Sequence, residues 1–338
     1  MPELSVVWFV LLGVLFTGYA LLDGFDLGAG AVHLLVARTD VERRNVLNAI
    51  GPVWDGNEVW LITAGGALFA AFPLVYGTAL SGFYLAVMLL LGSLILRGVS
   101  IEFRGKETNL LWRRSWDFLF SLGSVLAALL FGVALGNVMR GIPMDSGGVY
   151  RGGFVGLLNP FSLMVGVLTV GVAVQQGTAW LVLKTEGALA DRARRIQRVA
   201  LAVVVVAWGG STLIAVGDAK RVFDNFGTPI AWVGPVIVFH SLAFLLRSNL
   251  RRQAANAFLC SSIAIVGLAI TAGTALYPNL LPSTGAGASL TVHGAHSSDL
   301  TMSVMLVVAG IGMPIVVGYT TYIYWKFKGK VRLGEASY

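Results

Sequence analysis

A segment of this chain that has to cross a membrane begins with two acids. The run Trp54-Asp55-Gly56-Asn57-Glu58-Val59-Trp60 leads into an apolar stretch, Val59 to Phe72, that ends at Pro73. Crossing a hydrocarbon core of about 30 Å takes roughly 20 helical residues at about 1.5 Å each, so the span has to begin near Val53. Asp55 and Glu58 then lie inside it. On an insertion scale each acid costs about 2.5 to 3.5 kcal/mol at mid-bilayer, against roughly 0.3 to 0.6 kcal/mol gained per strongly apolar residue. Such a helix needs its carboxyl groups sheltered by protein, cavity water or a partner subunit, and a spacing of three residues sets both on one helix face. An intramembrane pair of this kind points to a functional site; for Asp55 the plainer alternative is a structural role, such as capping or pairing with Arg97 or Arg104.

The composition agrees with a membrane protein: 56% hydrophobic, 12% charged, 42 glycines and a mean hydropathy of +0.78. The single cysteine, Cys260, cannot form an internal disulfide and says nothing about redox compartment. Met1 to Ser5 carries no basic segment and the apolar stretch after it is too long for a cleavable signal, so the first span is expected to remain.

Apolar runs and their breaks predict nine spans, at 5–36, 53–72, 75–96, 116–137, 160–183, 199–217, 229–246, 254–276 and 301–325. With odd-numbered spans running from outside to inside, 20 of the 24 lysines and arginines fall in inner loops and the C-terminal tail. Only Arg140, Arg151, Lys220 and Arg221 stay outside. This asymmetry predicts an outside N-terminus and a cytoplasmic C-terminus. The basic residues are dispersed over five segments, which argues against a nucleic-acid surface.

In that topology the acids gather. The first span carries Asp23 and Asp26 within Leu22-Asp23-Gly24-Phe25-Asp26-Leu27-Gly28-Ala29-Gly30, the second begins with Asp55 and Glu58, and the third ends near Glu102. Gly24, Gly28 and Gly30 remove bulk beside the first pair, allowing close helix approach or a local break. Carboxyl groups separated by room for water suit a proton path from the cytoplasm, because each transfer needs a group that both donates and accepts. If the first span ends at Leu22, Asp23 and Asp26 sit instead at headgroup level. Glu102, beside Arg104, reads equally as interfacial, and Asp117, near Trp112 and Trp116, reads as an interface anchor.

The histidines offer little metal chemistry. His293 and His296 form an H-x-x-H without a third ligand nearby, and His33 and His240 do not make a pair at matched depth for bis-histidine haem ligation. No phosphate-binding loop, dinucleotide fingerprint or CxxC is present.

A weak internal repeat relates Gly18-Tyr19-Ala20-Leu21-Leu22-Asp23-Gly24 to Gly171-Val172-Ala173-Val174-Gln175-Gln176-Gly177. Both copies start outside, so they are parallel and related by an axis along the membrane normal. The expected fold is an all-α integral membrane protein of nine helices: a four-helix unit over residues 1–137, a degenerate copy over 138–276, and an outer loop, ninth helix and cytoplasmic tail over 277–338. Titratable chemistry belongs to the first unit, because Gln176 stands where the repeat would put Asp23.

The motifs LDGFDLGAG (22–30), RTDVERR (38–44), GPVWDGNEVWLITAGGALFAAFP (51–73), SGFYLAVML (81–89) and YPNLLPS (277–283), with the segment from Glu102 to Arg104, resemble subunit II of the bacterial cytochrome bd-type quinol oxidases. The resemblance implies a subunit of a complex that oxidises quinol and reduces dioxygen to water with cytoplasmic protons. It implies a similarly folded partner, subunit I, which binds three haems and the quinol and supplies their ligands, so that this chain ligates none. It also implies a location in the bacterial cytoplasmic membrane, and it brings in small single-helix accessory subunits and a structural quinone in the apolar part. Asp55 matches the acid of the family's proton path, with Asp26 and Glu102 as further members; Glu58 is less secure, since relatives carry Gln there, and Asp23 is a candidate from its place in the first span alone. Two other readings stay open: a purely structural partner without a proton role, and a proton-coupled secondary transporter, for which the seventh and eighth spans offer few candidates beyond His240 and Asn256.

Overall fold

The computed structural model describes residues 3–333; the last five residues of the expected cytoplasmic tail lie outside them. The described residues are mostly helical: α1 (Leu4–Val36), α2 (Asp40–Ile50), α3 (Trp54–Ala71), α4 (Pro73–Gly82), α5 (Tyr84–Phe103), α6 (Leu110–Arg140), α7 (Gly153–Gly156), α8 (Pro160–Lys184), α9 (Gly187–Asp218), α10 (Val233–Leu250), α11 (Ala254–Leu276) and α12 (Asp299–Lys326). Eight of these are long and apolar enough to cross a membrane alone. The bent pair α3–α4 is a ninth candidate.

Local chemistry accounts for several helix starts. Asn159 caps α8 by accepting from the Ser162 N–H, and Pro160 follows where its missing N–H costs nothing. Asn109 and Ser298 cap α6 and α12 in the same way. α2 begins with a full capping box between Thr39 and Glu42. This short helix falls in the stretch read as a plain inner loop, and the Thr-x-x-Glu spacing is the signal that marks it.

The largest departure from the expected spans lies between residues 72 and 103. Pro73 cannot continue α3, and α4 leaves at 119° to it. A second break at Phe83, with φ −98° and ψ 19°, starts α5. The stretch expected as a helix over 75–96 is therefore split: its first part lies at the end of the molecule covered by loops, with Gly82 against Tyr150, and its second part belongs to a helix that runs on to Phe103. Arg97, expected in an inner loop, is inside that helix.

α1 is the central element, packed against α3, α6, α8 and α11. It crosses α8 where Gly28 meets Ala173 and Gly177, with no room for a side chain on either glycine. Gly30 is likewise in contact with Ser124 and Phe120 of α6, whereas a Cβ on Gly24 would meet nothing within 4 Å. Of the three glycines expected to bring helices together, two do so and Gly24 leaves space beside Asp23.

One end of the bundle is covered by residues 141–159 and 277–298, tied by Ile142 N–H to Pro282 O (3.0 Å) and Thr284 N–H to Ile142 O (2.9 Å). The short antiparallel pair β1 (Asn279–Leu281) and β2 (Leu290–Thr291) lies in this cover, which thus contains YPNLLPS. At the opposite, basic end a core of Phe25, Val32 and Val36 from α1 packs on Leu47 and Ile50 of α2 and Leu181 of α8. Trp180 stacks on Phe25 with centroids 4.4 Å apart, and its indole N–H donates to Ala49 O at 2.9 Å.

Candidate functional site

Toward the basic end of α1, its buried face presents Tyr19, Asp23, Asp26 and His33, spacings that keep the four side chains within roughly one side of a helix. Asp23 and Asp26 are both inaccessible to solvent. α3 starts opposite them and runs the other way, so that Asn57 lies beside Leu22 and Asp26, and Ala71 and Phe72 share a core with Trp8.

Asp23 is paired with Arg97 of α5: Nη1 is 2.7 Å from Oδ1 and 2.9 Å from Oδ2. The other terminal nitrogen of Arg97 bonds Glu58 of α3, whose side chain is 26% exposed. One fully buried guanidinium thus joins α1, α3 and α5.

Asp26 has a different environment. Its Oδ2 accepts from Asn57 Nδ2 at 2.7 Å, and its Oδ1 has no hydrogen-bond partner among the described residues. Asn57 also donates to Leu22 O (3.3 Å) and accepts from the Tyr324 hydroxyl of α12 (3.0 Å). Among the described residues no cation lies within salt-bridge distance of this carboxyl group. Three carboxyl groups, Asp23, Asp26 and Glu58, therefore share the single charge of Arg97. If all three ionise, a largely buried cluster keeps two uncompensated negative charges, which low dielectric makes costly; holding a proton relieves part of that cost.

Asp55 and Glu102 are not part of this cluster. Both are exposed on the surface of the chain. Asp55 is in the first turn of α3, three residues before Glu58, so the carboxyl groups grade from exposed (Asp55) through half-buried (Glu58) to buried (Asp23, Asp26).

A second polar cluster lies one step further along α1. His33 Nε2 is 2.6 Å from Asp117 Oδ1, and Asp117 also accepts from Arg43 Nη1 (2.7 Å) and Arg104 Nε (2.6 Å). Arg104 reaches on to Asp40 at 2.8 Å. Asp117, expected as an interface anchor, is buried at the junction of α1, α2, α6 and the turn that follows α5. Asn57, Arg97, Tyr324 and His33 are the site residues that the sequence reading did not assign. For Asn57 the signal was present, since it is the one hydrogen-bonding amide between two acids of the same motif.

The histidines do not converge on a shared pocket. His240 bonds the carbonyl of Val236 in its own helix (2.8 Å), His293 pairs with Glu3 (2.6 Å), and His296 bonds the Ser297 carbonyl (2.7 Å). Among the described residues no three His, Cys, Asp or Glu side chains are grouped to hold a metal ion.

Comparison with known proteins gives a consistent set of similarities. The family model described as cytochrome bd terminal oxidase subunit II matches residues 4–327. The chain is 40% identical to cytochrome bd-I ubiquinol oxidase subunit 2 of Escherichia coli K12, over 97% of this chain and 95% of that one. It is 34% identical to cytochrome bd ubiquinol oxidase subunit 2 of Bacillus subtilis 168, over 98% of each. In fold it is similar to a chain of the bd oxidase from Geobacillus thermodenitrificans, with a TM-score of 0.80 at 18% identity, covering 96% of this chain and 98% of the other.

Proposed function

The chain belongs to the cytochrome bd terminal oxidase subunit II family, and on that premise we propose that it holds and passes protons for dioxygen reduction while supporting the partner that carries the haems. It is a multi-pass membrane subunit of a respiratory oxidoreductase complex. The finer reading is that the complex lies in the bacterial cytoplasmic membrane, takes electrons from quinol, and binds its haems and quinol in subunit I. The N-terminus faces outward and the basic end faces the cytoplasm, in keeping with the concentration of arginine there. The helices form nine spans, as two four-helix units over 1–137 and 138–276 with a ninth helix after them. The neutral Gln176, buried and bonded to Ser261 and Ser262, stands in the second unit where Asp23 stands in the first.

The observation that carries the proton reading is the Asp26 carboxyl group, fully buried, without a cation, and beside a cluster with more carboxylates than guanidinium groups. Such a group can take a proton at Oδ1 or Oδ2 without breaking an ion pair. Protons enter from the basic end, are held among Asp26, Asp23 and Glu58, and leave through Asp55 on the chain surface, where a partner subunit can reach it. Glu102, exposed at the end of α5, belongs to the entry side.

The test is Asp26→Asn in the assembled complex. Asn keeps the size and a hydrogen bond to Asn57 but cannot carry the proton. Quinol-driven oxygen consumption should fall at least tenfold with haem absorption and assembly unchanged; full turnover would remove the proton role. A structural role has its own support for Asp23 and Glu58, because Arg97 uses them to join three helices.

A further inference from the structure

Not all of the arginines at the basic end are spent on salt bridges. α9 carries the run Asp191-Arg192-Ala193-Arg194-Arg195-Ile196-Gln197-Arg198, and this face meets the turn between α10 and α11 across an open cleft of about 300 Å³. Arg194, Arg195 and Arg198 line one wall and Arg252 the other. Arg194 donates to Asp191 at 2.9 Å. Among the described residues Arg195, Arg198 and Arg252 have no acidic partner, and all three are exposed.

Two amides line the same cleft. Gln197 is 2% exposed, yet its Nε2 has no hydrogen-bond partner; neither polar atom of Asn249 has one. A buried N–H donor is left without an acceptor only at a cost, so such a group marks a place where something else supplies one. Charge asymmetry across a membrane needs only a count of lysines and arginines in loops. It does not call for a concave wall of unpaired guanidinium groups around an unsatisfied buried amide.

We propose that this cleft is a binding site for a phosphate group, carried by an anionic phospholipid or present as free phosphate. Guanidinium forks match phosphate oxygens bidentately, and Gln197, which lines the cleft, holds an unpartnered neutral donor in reserve behind them. Val182 and Leu250 line the cleft as well, and Leu250 is 68% exposed, which gives an acyl chain an apolar surface to follow. The site is separate from the proton-holding cluster and does not depend on it.

The test uses the purified complex after delipidation, with native mass spectrometry as the readout. One arm offers phosphatidylglycerol against phosphatidylcholine in nanodiscs, and the other offers inorganic phosphate. The Arg195→Gln/Arg198→Gln/Arg252→Gln variant should bind phosphatidylglycerol at least tenfold more weakly than the parent. Lys326→Gln/Lys328→Gln, which removes charge at the same end outside the cleft, should stay within twofold. Gln197→Met removes only the amide and should also weaken binding, which covers a failure of the triple variant to assemble. Binding of inorganic phosphate that the variants abolish, with no preference between lipids, supports the site and assigns free phosphate as its occupant. Equal binding of both ligands by parent and variants overturns the proposal.

Discussion

Arg97 and Asp23 lie 74 residues apart in sequence and 2.7 Å apart in space, and neither side chain is reached by solvent. This contact fixes α5 to α1 at the level where α3 begins.

Removing the cation should therefore be more harmful than removing either acid. Arg97→Gln leaves Asp23 and Glu58 without a positive partner, and breaking a buried pair this way costs about 3 to 5 kcal/mol. We expect a marked fall in the thermal midpoint and yield of the complex. Glu58→Gln, at a half-exposed site, should cost far less. Equal thermal midpoints for the two variants would mean that the cluster contributes little to holding the helices.

Asp55 separates function from stability, because it is exposed in the first turn of α3. Asp55→Asn is expected to leave the thermal midpoint and haem absorption of the complex unchanged while oxygen consumption drops at least tenfold. Oxygen uptake measured with an electrode on quantified complex decides the matter: parental turnover would make Asp55 a bystander.

The crossing of α1 and α8 should tolerate no added volume. Gly28→Val drives a side chain into the backbone of Ala173 and Gly177, and overpacking of this kind costs about 1 to 3 kcal/mol. Gly24→Ala, four residues earlier on the same helix, meets nothing within 4 Å and gains up to about 1 kcal/mol of helix propensity. Thermal unfolding should move in opposite directions for the two variants.

Glu42 gives a pH dependence whose sign follows from its surroundings. Burial raises its pKa, but the N–H groups of Arg38 and Thr39 and the guanidinium of Arg192 lower it further, so the net shift is downward. A carboxyl group with a depressed folded-state pKa contributes stability that is fully present above the ordinary carboxylate value and is lost as pH falls through the depressed one. Glu42→Gln should therefore lower the thermal midpoint by a few degrees near neutral pH, and the difference should shrink as the pH is taken below the ordinary glutamate range. A difference that persists unchanged in acid would mean that charge is not what Glu42 contributes.

The positions of the long helices were legible because hydropathy and capping are local properties. Asn159-Pro160 and Ser298 mark starts that the structure keeps to within a residue or two of expectation. The break at Phe83 was not legible, because it interrupts an apolar run without a glycine–proline signal at that residue. Arg97 was read as a loop residue because an isolated arginine in a helix is costly until its partners are known, and those partners come from two other helices. For the same reason Asp117 was read as a surface residue: His33 and Arg43 are 84 and 74 residues away in sequence. The LDGFDLGAG and WDGNEVW motifs hold Asp23, Asp26, Asn57 and Glu58, which the structure brings together. They did not separate Asp26, which has no cation, from Asp23, which has one.

Only Met302 of α12 is buried, yet near its far end Tyr324 bonds Asn57 and covers the approach to Asp26. Because translation is directional, a carboxyl group of α1 gains this cover only after α2 to α11 have all been made. Until then the growing protein has to carry an unfinished polar seam in its interior.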